Sequence, residues 1–140
     1  MTGGVACWRL DKPLAAFPMP KTEDALVALL KGLIEPGKSI AFVEKVSGFL
    51  GKPLPGSKMF VFGQNFGFLR GALRVLGVEV ELVLPQKWQK PLGLGKSVNC
   101  VSRTEWKNKL KGCARRLFPA LKPTLLTADA ILIMDFGLNP

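Results

Sequence analysis

The apolar positions of the chain fall into short runs whose period changes several times between residue 4 and residue 137. Residues 4–9 and 13–18 are apolar runs separated by Leu10-Asp11-Lys12-Pro13, a pattern that predicts two strands joined by a hairpin turn. Thr22 then has the character of a helix N-cap. Glu23 and Asp24 suit the first turn, and Leu26, Leu29, Leu30 and Leu33 repeat at helical spacing until Pro36-Gly37 stops the helix. Ser39 to Val43 is short, apolar and bounded, as a central buried strand is, which puts Glu44 at its C-terminal end. Ser47 to Lys58, with three glycines and two prolines, predicts a mobile connection.

The second half alternates in the same way. Met59 to Leu76 reads as a helix ended by Gly77, with Phe62, Phe66, Leu69, Leu73 and Leu76 on its apolar side. Gly63, Gly67 and Gly71 recur every four residues along one ridge, and each costs about 1 kcal/mol relative to Ala within a helix. That cost predicts a close neighbour on the ridge, either sheet backbone or a DNA strand. Val78 to Leu84 is a further strand, and Pro85 to Gly95 a polar connection. Ser102-Arg103-Thr104-Glu105 has capping-box spacing and opens a helix with Trp106, Leu110, Cys113, Ala114 and Leu117 inward. Lys107, Lys111 and Arg115 are expected together on its outer face. Thr127 caps a last helix whose stripe Asp129, Leu132, Ile133 and Phe136 faces inward, while Asp135 points elsewhere as a surface acid.

This order of elements predicts one α/β domain over residues 1–140, with a mixed sheet flanked by helices. Hydrophobic residues make up 48% of the chain, enough for a packed core. The three cysteines, Cys7, Cys100 and Cys113, are widely spaced and form no C-x-x-C pair, so a reducing, cytoplasmic compartment is expected. No run approaches the roughly 18 apolar residues of a membrane span. The absence of histidine excludes Ser-His-Asp and Cys-His chemistry and His-ligated metals. Any catalysis therefore falls to carboxylates, lysine or metal-bound water.

Charge narrows the partner. A net +10 favours nucleic acid, whose phosphates arrive in arrays and release counterions on binding. The excess is concentrated late in the chain. Between Gln86 and Ala128 stand Lys87, Lys90, Lys96, Arg103, Lys107, Lys109, Lys111, Arg115, Arg116 and Lys122, against Glu105 alone. Two acids occupy costly settings, since Glu44 closes an apolar strand and Asp129 opens an apolar helix. Carboxylates so placed need a cation or hydrogen-bond donors, and a divalent metal is one candidate. If the helix of Asp129 crosses the end of the Glu44 strand, the two carboxylates converge there. An internal Lys or Arg beside Glu44, with Asp129 simply favouring a helix N-terminus, is the plainer alternative.

Taken in order, Thr2-Gly3-Gly4-Val5-Ala6, Phe42-Val43-Glu44-Lys45-Val46, Ser57 to Gly63, Gly67 to Gly77, Pro85-Gln86-Lys87-Trp88-Gln89-Lys90, Leu117-Phe118-Pro119 and Ala128 to Ile133 resemble the RuvC-type Holliday junction resolvases, particularly their phage-like branch. The resemblance spans about Thr2 to Gly137. It implies a ribonuclease H-like mixed sheet with helices on its faces, and a Mg²⁺- or Mn²⁺-dependent endonuclease that cuts branched DNA as a homodimer. It further implies Glu44 and Asp129 as metal ligands and Lys90 near the scissile phosphate; the charge distribution, separately, makes Lys87, Lys90, Lys96, Lys107, Lys111 and Arg115 the expected DNA contacts. Such proteins work in a bacterial or phage-encoded setting.

Two departures accompany the matches. The family's first strand, ending in an aspartate ahead of the piece that matches Thr2-Gly3-Gly4, has no counterpart after Met1, so the first strand is expected to be truncated. Leu125 and Leu126 stand where relatives carry a second acid or a histidine. A two-metal site lacking two of its usual positions is expected to bind metal weakly. The sequence thus predicts either an impaired junction endonuclease or a protein of the same fold that binds junctions without cutting them.

Overall fold

The computed structural model describes residues 2–45 and 56–140. In chain order its elements are β1 (Gly4–Arg9), β2 (Lys12–Pro18), α1 (Glu23–Leu33), β3 (Ile40–Glu44), α2 (Gly56–Val75), β4 (Glu79–Val83), α3 (Pro85–Gln89), α4 (Arg103–Leu117) and α5 (Ala128–Leu138). Short 3-10 turns lie at Lys90–Leu92, Ser97–Asn99 and Pro119–Leu121. The fold is mixed α/β. The chain divides into two compact units: Pro20–Leu84 forms one, and Thr2–Met19 with Pro85–Pro140 forms the other.

In the Pro20–Leu84 unit, the Thr22 hydroxyl accepts the Ala25 amide at 3.2 Å and starts α1, which buries Leu26 and Leu30. After α2, Gly77 takes φ +78° and donates to Arg74 O, while Val78 donates to Leu73 O. These paired bonds satisfy the last carbonyls of the helix, and the left-handed residue that makes them possible is a glycine. Its carbonyl accepts the Gly37 amide at 3.0 Å, tying together the turns that end α1 and α2. β3 and β4 pair in parallel, with Ile40 opposite Glu79 and Glu44 opposite Val83.

Three expectations for this unit need correction. Among the described residues β3 pairs on one side only, so it is not central in their sheet, and Ile40 is 57% exposed. The ridge Gly63, Gly67 and Gly71 has no close neighbour among the described residues, because a Cβ built at any of the three meets none of their atoms within 4 Å. Phe62 is exposed rather than inward, and Leu73 is the buried residue of α2. The apolar stripe of the helix is wider than the surface it covers. Of the predicted connection from Ser47 to Lys58, residues 46–55 lie outside the described residues, and Gly56 already begins α2.

The second unit joins the two ends of the chain. β1 and β2 form an antiparallel hairpin, with Gly4 opposite Pro18 and Arg9 opposite Lys12. The turn is tighter than expected, because Asp11 adopts φ +63° and releases Lys12 into the strand. β1 packs on α5. At Gly4 a Cβ would lie 2.7 Å from Leu126 O and 2.9 Å from Thr127 Cα, so only glycine allows this approach. α5 buries Ala128 and every residue from Ile131 to Met134, being covered on several sides by β1, α3 and α4. α4 contributes Trp106, Leu110, Cys113 and Ala114 to the same core.

Two further differences appear here. The predicted polar connection after β4 holds a short helix, α3, begun by Pro85 and anchored by Trp88, which is 1% exposed. Proline is well suited to a first helical position, where its missing N–H is not needed. Leu117, expected inward, is 49% exposed because it ends α4, beyond the last turn that reaches the core. No helix of the described residues is long and apolar enough to cross a membrane.

Candidate nucleic-acid interface

The cationic stretch predicted between Gln86 and Ala128 belongs wholly to the second unit. Between Pro85 and Pro140 ten lysines and arginines meet three acids, Glu105, Asp129 and Asp135. Each of those acids is engaged locally. The Glu105 carboxylate accepts the Val101 amide at 2.7 Å, while the Ser102 hydroxyl accepts the Glu105 amide at 3.1 Å, closing the capping box at the start of α4. The Asp135 carboxylate accepts the side-chain amide of Asn139 at 3.2 Å. Lys107 Nζ donates to Asp129 Oδ2 at 2.5 Å. Most of the cations that remain are exposed.

Lys87, Lys90 and Lys96 are exposed on α3 and on the turns that follow it. Arg103, Lys109 and Arg116 are exposed on α4, and Lys122 is exposed with φ +47° just after it. Arg115 is exposed, but its Nε donates to Pro123 O at 3.2 Å, which fixes the guanidinium against the chain. Lys111 is half-buried. Lys107 departs from its predicted place on the outer face. It follows Trp106 directly and precedes Leu110 by three positions, so it lies on the border of the buried stripe and turns to α5. That sequence position is the one signal of its role.

Glu44 ends β3, half-buried, in the first unit; Asp129 lies in the first turn of α5, in the second. Among the described residues, no group of three or more His, Cys, Asp or Glu side chains gathers that could hold a metal ion. The local chemistry of Asp129 also fits a metal poorly. Its Oδ2 is held by Lys107, and its Oδ1 makes no hydrogen bond yet is closed off from solvent. A hydrated cation reaches neither oxygen without displacing the lysine. Among the described residues, the donors around Asp129 therefore do not fit a two-metal centre.

Trp88 is core packing, not a base-stacking platform. Cys7, half-buried on β1, has its thiol pKa raised, mainly by burial and partly offset by the Arg9 guanidinium. A thiol of that kind stays protonated and is a poor nucleophile. The chain matches no family model, and no curated protein matches it.

Proposed function

We propose that this protein binds branched DNA through the cationic surface built from α3, the turns after it and α4, on a ribonuclease H-like fold related to the RuvC-type resolvases, and that it does so without cutting. The observation that carries the reading is the charge asymmetry of the Pro85–Pro140 segment, whose three acids are engaged locally while Lys87, Lys90, Lys96, Lys109 and Arg116 are exposed. Phosphate contacts by such side chains supply affinity without reading sequence. Recognition of a four-way junction by a two-fold homodimer follows from the symmetry of that substrate.

Fluorescence anisotropy with a four-way junction and with a linear duplex of equal length, each over a range of salt, tests this. Tighter binding to the junction is expected, unchanged by EDTA. Replacing Lys87, Lys90 and Lys96 together by Ala is expected to lower the salt slope by roughly 0.9 for each phosphate that is no longer neutralised. Equal affinity for both DNAs at all salt concentrations counts against the reading.

A nuclease remains the second reading, favoured by one observation: Glu44 sits at the carboxyl end of a parallel strand, where ligands of α/β folds collect. It requires junction nicking that depends on Mg²⁺ or Mn²⁺ and disappears in Glu44→Gln.

A further inference from the structure

Asp129 is a half-buried acid at the start of an apolar helix. It lies in the first turn of α5, next to the fully buried Ala128 and two residues ahead of the fully buried Ile131. A carboxylate at such a site loses part of its hydration, which a cation or several donors offset. The helix N-terminus supplies part of that through its free amide dipoles. Lys107 supplies the rest. Its ammonium stands 2.5 Å from Oδ2, and both side chains keep 30% of their surface exposed, so the pair is partly shielded from screening by salt.

We infer that Lys107 is the resident counter-ion of Asp129, a cation supplied by the chain itself at the place where the resemblance puts a divalent metal. The carboxylate and ammonium then join α4 to α5, and Asp129 serves folding instead of ion capture. The inference is independent of DNA binding. It also gives Lys107 a different role from Lys109 and Arg116, which are exposed on the same helix.

Two measurements on the full chain test it. In the first, amide NMR signals of the wild-type protein are followed during addition of MnCl₂, whose unpaired electrons broaden the signals of nearby nuclei. Residues 127–133 are expected to broaden no more than the rest of the chain. Selective broadening there at submillimolar Mn²⁺, abolished in Asp129→Asn, overturns the inference. In the second, melting temperatures are compared for Lys107→Met, Asp129→Asn and the double variant. Lys107→Met is expected to melt several degrees below wild type, and adding Asp129→Asn to it is expected to recover part of the loss, because the uncompensated charge is removed. A Lys107→Met protein that melts with wild type, or a double variant whose loss equals the sum of the single losses, also overturns it.

Discussion

At the scale of single residues, the features legible in the sequence are those whose partners lie within one turn. Thr22 and Ser102 are readable as caps because the amides they accept are three positions away. Lys107 and Asp129 are 22 positions apart, and although the place of Lys107 beside Trp106 hints that it turns inward, it does not name Asp129 as the partner. The charge balance points to a cation at Asp129, but the chain provides it where a metal is expected. Cys7 yields a prediction of its own. Its folded-state pKa lies above that of the unfolded chain, because burial disfavours the thiolate more than Arg9 favours it. Stability from the protonated thiol is therefore fully present below the unfolded pKa and is lost as pH rises through the alkaline range towards the folded value. Denaturant midpoints measured on either side of that range are expected to fall in wild type and to fall less in Cys7→Ala.

At the scale of elements, sequence pattern locates strands and helices well and their surroundings poorly. α1 is legible because its cap, its leucine spacing and its Pro36-Gly37 stop agree. α3 is not, because five residues opening with proline leave no periodicity to read. The environment of α2 differs from expectation in an instructive way. Glycines spaced by four suggest a demand for close packing, yet the ridge they form is open among the described residues. Substituting Ala at Gly63, Gly67 and Gly71 therefore meets no steric obstacle and removes the entropic cost of glycine in a helix. Each substitution is expected to stabilise the protein by up to about 1 kcal/mol, read from denaturant unfolding. A marked loss of stability would restore the close neighbour that the sequence suggests. β3 carries a similar lesson, since an apolar run of four residues predicts a central strand and the strand has one partner among the described residues.

At the scale of the whole molecule, charge distribution is the most legible property, because it needs no knowledge of contacts: the cationic segment predicted from Gln86 onward lies in one unit. What the sequence does not disclose is that this unit is discontinuous. Its core is centred on α5, where Ile131 and Leu132 have essentially no exposed surface. Ile131→Ala is expected to cost roughly 2–5 kcal/mol. Hydrogen exchange should then show amide protection falling together in β1, α4 and α5, whereas a fall confined to α5 would mean that these elements do not share one core. The close approach of Gly4 to Leu126 has a further consequence, for synthesis. The hairpin leaves the ribosome well before the backbone it packs against, which is made only after more than a hundred further residues, on the order of ten seconds later at ordinary elongation rates. During that interval β1 and β2 are a hairpin without its packing partner, marginal by itself, so an element made early is among the last to become secure.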